Sequence, residues 1–129
     1  MPTGIQMSRQ HPWRAANPDA VIVARPSRWG NPFTIAEYGL DLSLALFANT
    51  ASAIWNPNTL GQDKTDEQFD AAYRAHNAWL KRIGGHPLEI MRYELAGHDL
   101  ACWCGLDKRC HRDILLRLAN PTSISKREA

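Results

Sequence analysis

Apolar residues in this chain fall into two short continuous runs and several longer stretches of helical period. Ala20-Val-Ile-Val-Ala24 is a β-branched run bounded by Asp19 and Arg25, the pattern of a strand buried on both faces. Asp99-Leu-Ala-Cys-Trp103 reads as a second strand. Between them, Ile35, Leu40, Leu42, Leu44, Leu46 and Phe47 predict helix starting near Thr34 or Asp41, interrupted by Gly39. Thr65-Asp-Glu-Gln68 fits a capping box, and Phe69, Ala72, Tyr73, His76, Leu80 and Ile83 share one helical face before Gly84-Gly85 stops the element. Pro87 opens a further helix through Leu88, Met91 and Leu95 to Gly97. A last helix runs from about Cys110 through Ile114, Leu115 and Leu118 and stops at Asn120-Pro121. Residues 56 to 65 carry the turn residues of a surface loop, the most mobile or variable segment expected here. Residues 1–19, polar and broken by Pro2, Pro12 and Pro18, predict an irregular arm with a short edge strand at Gly4 to Ser8, and residues 121–129 predict a polar tail.

Two strands, each followed by a loop and a helix and separated by helices, require parallel pairing through a helical crossover. The expected fold is α/β: a single small domain over residues 20–120, with a short, mostly parallel sheet flanked by helices in Rossmann-like layering. Composition fits one core, since 129 residues at 44% apolar and 22% charged leave no need for a second domain. A net charge of +2 is too mild to announce a nucleic-acid partner. No apolar run approaches the ~20 residues that cross a bilayer, and the first twenty residues lack the apolar core of a secretion signal, so the expected location is cytoplasmic with no membrane partner. The 3 cysteines, an odd number set close together, suit a reducing compartment better than a disulfide framework.

Ligands of open α/β sheets collect beyond the carboxyl ends of the strands. The first strand-like run feeds Arg25-Pro-Ser-Arg-Trp-Gly-Asn-Pro-Phe33. There Arg25 is placed to hold an anion, Ser27 and Asn31 to donate hydrogen bonds, Gly30 to free backbone amides and Trp29 to stack on a flat base. That set suits a phosphorylated, nucleotide-like molecule. In the alternative, Trp29 and Phe33 are core plugs, Asn31-Pro32 is a turn and Arg25 pairs with an internal carboxylate.

The second run feeds Cys102-Trp-Cys-Gly-Leu-Asp-Lys-Arg-Cys-His-Arg-Asp113, which admits three chemistries. In a strand, residues 102 and 104 point to one face and Trp103 to the other, so Cys102 and Cys104, rejoined by Cys110 and His111, make a zinc-type ligand set. Against it, neighbouring ligands at a helix start tend to diverge. Alternatively Cys110 is a nucleophile whose thiol is acidified by the helix N-terminus and Arg109, with His111 or Asp113 as base. In the third, Cys102 and Cys104 are small buried hydrophobes, Cys110 caps the helix and Asp113 closes the cap, leaving His111 and Arg112 at the site edge. His76 reads as a satisfied core histidine, and His11, His86 and His98 as surface residues. Glu37, Asp41 and Asp99 are not paired by spacing. The absence of Walker, G-x-G-x-x-G and H-E-x-x-H patterns removes support for ATPase and dinucleotide redox functions.

Taken together, the Arg25-to-Phe33 run, the Gly-x-Asp-Leu-x-Cys-Trp-Cys run from Gly97 to Cys104, and Cys110-His-x-Asp with an apolar helix behind it resemble the domain of unknown function 4326 family, small proteins common in phages and bacteria. The resemblance spans roughly Ala20 to Asn120. It implies that these motif residues are the family's hallmark positions and that the origin is phage or prophage, with the host cytoplasm as location; it implies no settled reaction. The charged spacer Gly105 to Arg109 departs from the family pattern. The expected function is binding, and in the case of an enzyme processing by a hydrolase or a glycosyl- or nucleotidyl-type transferase, of a nucleotide or nucleotide-sugar-like ligand. The alternative is a zinc-stapled module that meets nucleic acid through Arg9, Arg14, Arg25, Arg28, Arg109 and Arg112, or a host protein. A structural protein without a small ligand is the third class. The binding expectation is spatial: Arg25, Trp29, Asn31, Cys110 and His111 should line one pocket.

Overall fold

The computed structural model describes residues 2–121; apart from Pro121, the tail expected at 121–129 lies outside them. Strands β1 (Gly4–Gln6), β2 (Val21–Ile22) and β3 (Leu100–Cys102) form one sheet of order β1-β3-β2, with both pairs parallel. Leu100 faces Gly4 on one side and Val21 on the other, and Ala101 faces Ile5 and Ile22. The ladder continues past the strand ends, where Met7 donates to the Cys102 carbonyl at 2.8 Å and Val23 to that of Ala101 at 2.9 Å. Helices α1 (Trp13–Ala16), α2 (Ile35–Tyr38), α3 (Leu40–Ala51), α4 (Asp66–Ile83), α5 (Pro87–Leu95) and α6 (His111–Ala119) complete the domain, with a 3-10 turn at Pro57–Leu60. The chain is thus a small α/β domain, as the strand-helix order requires.

Position in the sheet corrects two expectations. The β-branched run at 20–24 is an edge strand, with Val21 and Ile22 half-buried, whereas β3 is central and buried along its whole length. A central strand has backbone donors and acceptors on both sides to satisfy. One side of β3 is met by β2 and the other by the N-terminal arm, so a domain beginning at residue 20 would lack an edge of its own sheet. The arm fits there because Gly4 has no side chain: a Cβ at that position would meet the Arg112 Nε at 2.6 Å.

Local signals set the helix limits. Gly39, at φ 79°, separates α2 from α3. Thr65 and Gln68 form the reciprocal capping box that starts α4, and Gly84, in the left-handed conformation at φ 88°, ends it. The buried face of α4 includes Trp79, which the sequence pattern omitted, while Tyr73 on the expected face is half-exposed. Phe47 of α3 meets Trp79 edge to face at 5.6 Å between centroids, and the His76 Nδ1 lies 2.8 Å from the Thr50 hydroxyl of α3, so His76 is the satisfied core histidine expected. Among the described residues no helix is long and apolar enough to cross a membrane.

Candidate functional site

Parallel pairing brings both motifs to one edge of the sheet, because each begins where β2 or β3 ends. A cleft of about 320 Å3 opens there, lined by Arg25 and Asn31 from the first motif and by Cys102, Trp103, Cys104, Arg109, Cys110 and His111 from the second. Ile35, Leu40 and Leu44 supply an apolar wall from α2 and α3.

Within the first motif the structure divides the expected ligand groups. Arg25 is exposed on the cleft, and its aliphatic stem crosses Gly30, where a Cβ would stand 2.6 Å from the Arg25 Cγ and 3.0 Å from its Cα. Gly30 is therefore needed for close approach, not for presenting amides to a ligand. Asn31 reaches the cleft but is also a brace: its Oδ1 accepts from the Phe33 amide at 2.8 Å and its Nδ2 donates to the Ser43 hydroxyl at 3.0 Å, which in turn donates to the Phe33 carbonyl. Trp29 does not line the cleft. It is 4% exposed, packed against Trp79 at 6.2 Å and covered by the Arg28 guanidinium, because the turn at Ser27–Gly30 folds the indole inward. Ser27 is also absent from the lining, and its hydroxyl is buried without a partner.

The second motif converges more tightly. Cys102 and Cys104 lie 3.8 Å apart between sulfurs, the Cys110 sulfur is 3.6 Å from the His111 Nδ1, and the ligand atoms of Cys102, Cys110 and His111 all fall within 4.8 Å of one another. The cysteines are free thiols. His111 Nε2 lies 2.8 Å from the Val23 carbonyl, which can only accept. Nε2 therefore carries the proton and Nδ1 is bare, facing the thiols. Burial, joined by the charges of Arg25 and Arg112, pushes the His111 pKa down and keeps the ring neutral.

Thiol acidity is reversed from the expectation for a nucleophilic Cys110. Hydrogen bonding from Cys110, aided by Cys104 against the effect of burial, pulls Cys102 down to about 5. Cys110, donating to Cys102 and buried, is pushed up, and burial raises Cys104 as well. Within the cluster Cys102 is the thiol that ionises most readily. Arg109 does not acidify Cys110 at close range, since its exposed side chain pairs with Asp41 across the cleft rim.

Asp113 and Arg112 leave the site. Asp113 is half-exposed, stands outside the cleft lining and pairs with Arg112, so it is in no position to act as base. Arg112 is 1% exposed, with its Nε 3.2 Å from Asp113 and its Nη1 3.2 Å from the Cys104 carbonyl. Cys110 occupies the N-cap of α6 without a side-chain cap bond.

A family model described as a domain of unknown function, DUF4326, matches residues 5–121. The chain belongs to the DUF4326 family. The match begins inside β1, so the arm strand is part of the DUF4326 domain. Comparison with curated proteins and with solved structures gives no match. In this DUF4326 protein the aromatic surface on the cleft is Trp103, 47% exposed and lying under the Arg9 guanidinium at 5.4 Å. Strand alternation had directed Trp103 to the opposite face. That rule ends with β3 at Cys102, after which the backbone bends at 103–104. Ser43 was also missed. Its signal was a small polar residue among the apolar positions at the start of α3, where it is fully buried.

Proposed function

We propose that this DUF4326 protein binds a phosphorylated, nucleotide-like small molecule in the cleft, with Arg25 holding the phosphate. The observation that carries this reading is a charge imbalance: the cleft lining contains Arg25 and Arg109 and no carboxylate, and among the described residues Arg25 has no acidic partner. A guanidinium without a counter-ion beside a partly apolar cavity favours an anion with a hydrophobic or aromatic body. Trp103 offers that body a ring face, and Ile35, Leu40 and Leu44 an apolar wall. Arg109 can join, since its exposed pair with Asp41 contributes little and exchanges readily. A volume of about 320 Å3 is at the small end of ligand pockets, typically ~300–1,000 Å3, and suits a mononucleotide better than a dinucleotide.

Hydrolase or transferase chemistry on such a ligand would rest on the Cys102 thiolate or the bare His111 Nδ1. The nucleic-acid alternative loses Arg112, which is buried, and Arg14, which donates to the Ala20 carbonyl, while Arg9, Arg25 and Arg109 stay exposed and Arg28 is held by a surface pair with Glu94.

Isothermal titration with inorganic phosphate, pyrophosphate, nucleoside monophosphates and nucleotide sugars, against uncharged nucleosides and sugars, tests the proposal. Phosphorylated compounds should bind and the uncharged ones should not. Arg25→Ala should weaken binding by about 10- to 100-fold, the loss expected for about 1.5–3 kcal/mol of charged hydrogen bonding. No binding of any phosphorylated compound at millimolar concentration, or unchanged affinity in Arg25→Ala, removes the reading.

A further inference from the structure

We infer that Cys102, Cys104, Cys110 and the Nδ1 of His111 form a zinc site at the floor of the cleft, tying the end of β3 to the start of α6. Cys102, Cys110 and His111 bring their ligand atoms within 4.8 Å of one another, Cys104 adjoins Cys102, and two of the spacings are those the ion sets. Tetrahedral zinc with Zn–S near ~2.3 Å and Zn–N near ~2.0 Å holds sulfurs about 3.8 Å apart and a sulfur and nitrogen about 3.5 Å apart. The Cys102 and Cys104 sulfurs are 3.8 Å apart, and the Cys110 sulfur is 3.6 Å from the His111 Nδ1.

The surroundings carry the same inference independently. A zinc-bound histidine characteristically donates its other ring N–H to a carbonyl or carboxylate, which fixes the tautomer and aims the lone pair. His111 does so to Val23 at 2.8 Å. Zinc bound by three thiolates and a neutral imidazole leaves a net charge of −1, which needs a counter-ion when buried. Arg112, 1% exposed and bonded to the Cys104 carbonyl, places a buried cation beside the thiols, while its only carboxylate partner among the described residues is half-exposed. The adjacent ligands Cys110 and His111 converge because Cys110 is the extended N-cap, at φ −150° and ψ 150°, whereas His111 is the first helical residue. Their side chains leave a bent backbone instead of a continuous helix.

On metal binding the three cysteines coordinate as thiolates, any proton they still carry passing to solvent, and all four ligand atoms are occupied. A four-coordinate site of this kind is closed. Cys102 is then no longer a free thiolate and Nδ1 no longer a base, so the cleft above the metal is a binding site instead of a cysteine-nucleophile active site.

Elemental analysis of the full chain, purified without added metal or chelator, should give one zinc per chain. Chelated, reduced protein titrated with Co2+ should take up one equivalent, with tetrahedral d–d absorption and thiolate-to-cobalt charge transfer. Cys102→Ser and Cys110→Ser remove buried groups and can fail by unfolding, so the deciding variant is Cys104→Ser, at the half-exposed ligand. It should stay folded by circular dichroism, lose about a third of the charge-transfer intensity and bind Zn2+ at least tenfold more weakly. Folded, reduced wild-type protein that takes up neither Zn2+ nor Co2+ at micromolar concentration overturns the site. A bound Co2+ without thiolate charge transfer, or a Cys104→Ser spectrum identical to wild type, overturns the proposed ligand set.

Discussion

Arg112 carries a positive charge into the core, where a long cation is rarely found without partners. Its two contacts differ in worth. The Asp113 carboxylate is half-exposed, so screening limits that pair. The Cys104 carbonyl accepts from Arg112 in a partly buried setting, and losing the guanidinium would leave it without that partner and a void in the core where the side chain stood. Arg112→Met should therefore lower unfolding stability by about 1–3 kcal/mol, the cost of an unsatisfied buried acceptor, while Asp113→Asn should cost less than about 1 kcal/mol. Urea denaturation of the two variants checks this, and equal losses would shift the weight to the carboxylate. At this scale the sequence was read unevenly. Arg25, Asn31, Cys110 and His111 reach the cleft as their motifs suggested, because each sits just past a strand, at a helix start or in the loop between the two. Trp29 was readable as a stacking surface or as a core plug, and its packing on Trp79 makes it the plug, whereas Arg112, read as a residue of the site edge, is shown to be interior only by the packing of β1 against it.

Helices α3 and α4 meet through a polar seam set in an apolar interface, with Thr50 on one side and His76 on the other, and Trp55 and Tyr73 flanking the imidazole at 5.2 and 6.4 Å between centroids. Burial holds the His76 pKa below the ordinary value of about 6.5. On acidification the unfolded chain takes the proton first, so the stability contributed by this seam is complete above about pH 6.5 and is lost as the pH falls below it. The melting temperature should fall between pH 7.5 and 5.5, and His76→Gln should flatten part of that fall. A variant whose pH dependence matched wild type would place the effect elsewhere. The helices themselves were the most legible elements. Thr65, Gln68, Gly84, Pro87 and Gly97 mark their ends by local chemistry that needs no tertiary information. Strand rank was not legible, because a short apolar run looks alike at the centre and at the edge of a parallel sheet.

At the level of the whole molecule, the site follows from connectivity. Both strands that feed the cleft run in the same direction, so segments 77 residues apart in sequence, Arg25 and Cys102, end on one edge. The parallel arrangement was legible from the order of elements, and with it the meeting of the two motifs. The third strand was legible as a short edge stretch within Gly4 to Ser8 and is found at Gly4–Gln6; what was not legible is its partner, which the open side of β3 supplies. The order β1-β3-β2 also bears on how the protein is made. The strands that emerge first from the ribosome do not touch each other, and each pairs only with the strand that emerges last. Until residue 102 has been synthesised there is no sheet, and the earlier helices have no central layer against which to close. Pairings as distant as Gly4 with Leu100 are slow to form. A fragment ending at residue 98 should therefore lack cooperative unfolding and protease resistance, and the nascent chain should remain open to chaperones and proteases through most of translation.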